Sequence, residues 1–161
     1  MQIIIYDDAQ QVAENAAQWV KELIKKKPDP VLGLATGSTP ISLYTQLVEQ
    51  HKMNNLSFKN VTTFNLDEYH QIDPANPQSY RSFMAENLFN HVDINLNNTH
   101  LPTCALGENP RVQGLAYEQK IKHHGGVDLQ VLGIGANGHI GFNEPTSSLS
   151  SRTRIKTLTQ Q

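Results

Sequence analysis

Three short stretches of this chain hold the side chains that could do chemistry. The richest is Asp128–Pro145, DLQVLGIGANGHIGFNEP. An apolar run short enough for a buried strand leads into Gly133, Gly135 and Gly138, with Asn137 between the last two, then His139 and Glu144. Glycines at a strand end let the backbone turn sharply and approach a ligand. An imidazole and a carboxylate just beyond can transfer protons near neutral pH. The second stretch is FNLDEYH, Phe64–His70, where Asp67 and Glu68 follow a strand. One of the two, its pKa raised by partial burial, can act as a general base. The plainer alternative is a pair of acids that are solvated or cap a turn. The third is GLATGSTP, Gly33–Pro40. Amides at a helix N-terminus, with the hydroxyls of Ser38 and Thr39, suit a phosphate. A helix merely capped by one of those hydroxyls is the alternative.

Two nucleotide readings fail on context. The glycines at 133, 135 and 138 spell G-x-G-x-x-G, but a dinucleotide fold needs a helix next and an acid about 20 residues on. Here Pro145 would break such a helix, and no Asp or Glu follows Glu144. No Walker lysine follows Gly37–Pro40, so the loop is not a nucleotide P-loop. No metal set is implied: His123 and His124 fit a solvated helix end, and the other histidines are scattered.

The elements that must position these clusters alternate. Strands are expected at Ile3–Tyr6, Val31–Ala35, Val61–Asn65, Leu129–Leu132 and Arg152–Thr159. Helices are expected from Asp8 to about Lys27, Pro40 to about Met53, Ser79–Phe89 and about Pro110 to His124. In the first helix Val12, Ala16, Trp19, Val20, Leu23 and Ile24 share one face, and Lys25–Lys27 suit its C-terminal dipole as a solvated end. Strands spaced by helices imply a doubly wound, mostly parallel α/β sheet covered on both sides, whose carboxy-terminal strand ends converge on one edge. The chain has 161 residues, 13 Lys and Arg against 15 Asp and Glu, and a formal charge of −2. That charge is no footprint for nucleic acid. No apolar run approaches the roughly 18 residues of a membrane span. A lone Cys104, best taken as a small buried hydrophobe, and the absence of a secretory signal point to the cytoplasm.

TGSTP, FNLDEY and GHIGFNEP, in this order and followed by SSLSSRTRIKTLT, resemble glucosamine-6-phosphate deaminases over essentially the whole chain. The resemblance implies a Rossmann-like fold of the sugar-phosphate isomerase type. It implies an aldose–ketose isomerising deaminase of the hydrolase class, converting glucosamine 6-phosphate and water to fructose 6-phosphate and ammonia without a cofactor. It also assigns residues. Asp67 matches the base that moves a proton between C2 and C1. His139 matches the ring-opening group and Glu144 the acid that supports it. Thr36, Gly37, Ser38 and Thr39 match the phosphate loop. Asn137 stands where long allosteric members carry aspartate, and an amide can still fix the imidazole's tautomer. Ser147, Arg154, Lys156 and Thr157 match an allosteric sugar-phosphate site of hexameric relatives, which leaves a homo-oligomer open. The plainer place for Arg154 and Lys156 is the solvent face of a strand. Family members run well past Gln161, so residues 1–161 are expected to be one α/β domain lacking its C-terminal part. A 6-phosphogluconolactonase and a silent sugar-phosphate-binding fragment are the alternatives.

Overall fold

Asp8 opens the first helix as the sequence suggests: its carboxylate accepts the Gln11 amide 2.8 Å away, capping α1, Ala9–Lys26. The computed structural model describes residues 2–158. After α1 come β1 (Val31–Leu34), α2 (Ile41–Lys52), β2 (Thr62–Asn65) and α3 (Tyr80–Asn87). Two 3₁₀ turns follow at Phe89–His91 and Leu96–Asn98, then β3 (Thr99–His100), α4 (Pro110–His123) and β4 (Leu129–Gln130).

The strands form one sheet in the order β3-β2-β1-β4, and every pairing is parallel. Period-2 alternation splits the side chains between two layers. Leu32 and Leu34 pack with Ala17 and Val20 of α1, Leu43, Tyr44 and Leu47 of α2, and Met84 and Leu88 beside them. Val31 and Phe64 face the other way, onto Tyr117 and Ile121 of α4. Three helices thus cover one face and α4 the other, the doubly wound arrangement expected. The chain steps from β1 outward to β2 and β3, then returns over the sheet through α4 to β4. That return opens a topological switch point between β1 and β4.

The structure corrects several expectations. Ile3–Tyr6 is not a strand, and Ile3 and Ile5 are largely exposed. Arg152–Leu158 is not a strand either, and Thr159 lies outside the described residues. Instead the side chain of Glu118 on α4 captures that segment, accepting both the amide (2.8 Å) and the hydroxyl (2.9 Å) of Thr153. Backbone groups held by a helix side chain do not join a ladder. The buried stripe of α1 is Ala13, Ala17 and Val20, while Val12 and Trp19 are about half exposed, because small alanines let the helix approach the sheet closely. Lys27 is not simply solvated. It meets Asp128 at 2.7 Å, and the same carboxylate accepts the Val31 amide at the start of β1. Pro40 takes the N-cap position of α2 rather than its first helical one. The two-residue β3 was not anticipated. Among the described residues no helix is long and apolar enough to cross a membrane.

Candidate active site

Two tyrosines fix the strand tips before any loop chemistry begins. The Tyr44 hydroxyl of α2 accepts the Ala35 amide and donates to the Ala35 carbonyl, pinning the residue that follows β1. The Tyr117 hydroxyl of α4 donates to the Asn65 carbonyl at 2.7 Å, pinning the last residue of β2. Burial pushes both phenols up from their ordinary value, so they stay protonated donors.

Beyond β1 the chain turns through Thr36–Thr39 into α2. Gly37, Ser38 and Thr39 are exposed, and α2 has no side-chain cap hydrogen bond. The simple capping explanation for Ser38 and Thr39 therefore does not apply.

Beyond β2 the paired acids separate. Glu68 accepts three backbone amides, from Tyr69, Tyr80 and Arg81, at 2.9–3.0 Å. Asp67 Oδ2 accepts the Phe142 amide at 2.9 Å. Burial drives the Asp67 carboxyl up from 3.8 to about 6; the Phe142 hydrogen bond opposes this, and the charge of Glu68 adds to it. One acid thus behaves as a base candidate and its neighbour as a helix clamp. Gly141 makes the Asp67 contact possible. Its φ is +56°, and a β-carbon there would lie 2.6 Å from Asp67 Oδ2.

Beyond β4 the strand ends earlier than expected, at Gln130, and an irregular loop carries the remaining groups. Ile140 and Asn143 exchange backbone hydrogen bonds, which turns the Phe142 amide toward Asp67. Asn137 joins His139 to Glu144. Its Oδ1 lies 2.7 Å from His139 Nδ1 and accepts the His139 amide, and its Nδ2 donates to Glu144 Oε2 at 3.2 Å. An amide that donates through Nδ2 presents an acceptor at Oδ1, so the neutral form of His139 carries its proton on Nδ1 and its lone pair on Nε2. The imidazole lies over Gly135, where any β-carbon would collide with the ring.

An aromatic wall connects these loops. Tyr69, Tyr80 and Phe142 meet pairwise with ring centroids 5.0–5.5 Å apart. The Tyr80 hydroxyl interacts with the side chains of Tyr69 and Thr36, and Asp67 acts on it electrostatically; burial raises this phenol too. Sequence reasoning missed Tyr80, which stands 13 residues after Asp67 in no recognisable motif.

A cleft of about 610 Å³ is lined by Asp67, Phe142, Glu144, Ser147, Arg154 and Lys156 among others. His139, Asn137 and Thr36–Thr39 are not in its lining, so the three clusters do not all open into this one cavity. They are linked instead by the contacts just given. In the segment matching an allosteric site, Arg154 Nη2 donates to Asn143 Oδ1 at 3.2 Å. The Ser147 hydroxyl is buried with no hydrogen-bond partner among the described residues, and Thr157 is exposed. Arg154 and Lys156 line a cleft rather than a strand face. Cys104 is a buried free thiol.

The family model of the glucosamine-6-phosphate isomerases/6-phosphogluconolactonase matches residues 7–152. The chain is 74% identical to the glucosamine-6-phosphate deaminase of Colwellia psychrerythraea over all 161 residues, which is 60% of that protein. It therefore spans about three-fifths of the length of such relatives. A solved monomeric glucosamine-6-phosphate deaminase superposes with a TM-score of 0.95 at 41% identity, over 99% of this chain and 66% of that one. The 6-phosphogluconolactonase of Thermotoga maritima shares the fold at 24% identity, with a TM-score of 0.70, over 87% of this chain and 62% of that one. Matched by the family model over residues 7–152 and superposing on a solved member with a TM-score of 0.95, this chain belongs to the glucosamine-6-phosphate isomerases/6-phosphogluconolactonase family.

Proposed function

We propose that this chain carries catalytic machinery of a glucosamine-6-phosphate deaminase, a hydrolase in net stoichiometry, acting on glucosamine 6-phosphate. The observation that carries this reading is the 2.9 Å bond from the Phe142 amide to Asp67. It joins a carboxylate whose pKa is raised to the His139 loop across the sheet edge. In this reading the phosphate rests on the Thr36–Thr39 loop, remote from the reacting carbons, so its binding energy can position the sugar. His139 Nε2 takes the anomeric hydroxyl proton and returns it to the ring oxygen, opening the pyranose. Asn137 holds the imidazole in that tautomer, and Glu144 holds Asn137. Asp67 then removes the C2 proton while the C1 carbonyl oxygen gains a proton, giving an enolamine. Asp67 delivers its proton to C1 as the C2 nitrogen gives one up, and the C2 imine so formed adds water and releases ammonia, leaving fructose 6-phosphate.

The deaminase reading is favoured over the lactonase one by the Asp67 base and by the Asn137–His139–Glu144 relay. A lactone is hydrolysed without moving a proton between carbons. Incubation with glucosamine 6-phosphate should release ammonia and form fructose 6-phosphate in equal amounts. Turnover of 6-phosphogluconolactone with no ammonia from the amino sugar would reverse the assignment. A monomer is in keeping with the monomeric solved relative; the homo-oligomer left open by the sequence gains no support from it. Ser147, Arg154 and Lys156 lie close enough to this cleft to sense an anionic sugar, which would make them a regulatory subsite in the same reading.

A further inference from the structure

We propose that Glu68 is a positioning residue for this reaction: its carboxylate clamps the first turn of α3 onto the tip of β2 and so sets the aromatic wall beside Asp67. The inference rests on the deaminase reading and extends it to a residue given no catalytic role there.

The geometry is specific. Oε1 accepts the amides of Tyr69 and Tyr80, and Oε2 accepts that of Arg81. Tyr80 and Arg81 are the first two residues of α3, and the N-cap Ser79 accepts the third amide, that of Ser82. The open donors of this helix start are therefore taken by two side chains, and the charged one sits where the helix dipole favours an anion. The same carboxylate closes the loop between residues 69 and 80. Arg81 fastens the turn on its far side, donating to Thr99 Oγ1 at 2.6 Å and to the Thr99 carbonyl at 3.0 Å.

What this clamp holds is Tyr80. Its ring touches Tyr69 and Phe142, and its hydroxyl is influenced by the Thr36 side chain of the loop after β1. Phe142 is the residue whose amide bonds Asp67. Glu68 thus acts on the base through two contacts, the wall and the charge it places one residue away, without touching a reacting atom.

The test is Glu68→Gln, with Glu68→Ala beside it, in the full chain. Glutamine keeps the shape, but its amide nitrogen must face at least one backbone N–H, and the charge is gone. Ammonia release should fall about 10- to 100-fold in kcat, the scale of a misplacement near 1 Å, with KM changed less than about threefold. Carboxyl-¹³C NMR of Asp67 should show its titration midpoint moving to lower pH in Glu68→Gln. A folded Glu68→Gln that keeps kcat within about twofold overturns the proposal; so does a fall in kcat that only follows the melting temperature with the Asp67 midpoint unmoved, because that pattern belongs to a residue that only stabilises the fold. If the unaltered chain releases no ammonia, the deaminase reading fails by itself. The Asp67 midpoints in the two chains then still show whether Glu68 acts on that carboxyl.

Discussion

Replacing Asp67 with asparagine tests both the base and the strain of keeping it. Burial lifts this carboxyl from 3.8 to about 6, and such a rise corresponds to about 3 kcal/mol between the two protonation states. Asp67 is only part-buried, so screening by water leaves about 1.5 kcal/mol as the expected effect on stability. The folded pKa lies above the unfolded one, so the fold prefers the protonated acid. That preference contributes fully below the unfolded pKa and is lost as pH rises through about 6. Asparagine has the same shape, is neutral throughout, and can still accept the Phe142 amide. Asp67→Asn should therefore melt about 3–6 °C higher than the unaltered chain at pH 7.5, with most of the gain gone by pH 4. In the same variant ammonia release should drop about 10²- to 10⁴-fold. Thermal-shift titration with glucosamine 6-phosphate should still register binding. In the unaltered chain kcat/KM should decline on the acid side with a midpoint near 6, where the base takes up its proton. Paired melting curves at the two pH values and an ammonia assay across pH supply the data. A variant that melts lower at pH 7.5, with an acid limb near 4, would mean an unstrained carboxylate and would sink the assignment.

Three further outcomes follow from the same contacts. His139→Gln should slow turnover of the cyclic sugar more than that of an open-chain analogue, and equal losses would count against ring opening. Gly141→Ala should cost about 1–2 kcal/mol in urea denaturation for its φ of +56° and reduce activity besides, since its β-carbon meets Asp67 Oδ2; full activity would show that the Asp67–Phe142 geometry is dispensable. Asp128→Ala should cost about 1–3 kcal/mol, because the Val31 amide loses its 2.7 Å partner and Lys27 its counter-ion, while kcat stays unchanged.

Local signals in the sequence were legible where the physics is local. The Asp8 cap, the helical periods of α1 to α4, and the buried runs at β1 and β2 all depend on neighbours within a few residues. Strands that depend on a distant partner were not. Ile3–Tyr6 and Arg152–Thr159 have the apolar content or alternation of strands, but period-2 alternation names a face and not a neighbour. Thr99–His100 pairs with β2 with no apolar pattern at all. The acids Asp67 and Glu68 are indistinguishable on paper, because what separates them is which amides come to meet them: one from residue 142, and three from residues 69, 80 and 81. Tyr80 was invisible for the same reason.

The strand order explains why these distant pieces meet. β1 is the one strand flanked by both β2 and β4, and the chain reaches β4 only after crossing the sheet. The loop after β1 enters α2, which packs on the face opposite α4, so it diverges from the loop after β4. Loops that part in this way cannot brace one another directly. The bracing must come from the third tip, and β2 supplies it: Asp67 bonds the β4 loop through Phe142, while Glu68 holds Tyr80, whose hydroxyl is influenced by Thr36 of the β1 loop. Two adjacent acids face two different loops because successive residues beyond a strand need not share a side. On this account the Asp-Glu dipeptide is the joint of the site, and a change at either position should be felt in both flanking loops.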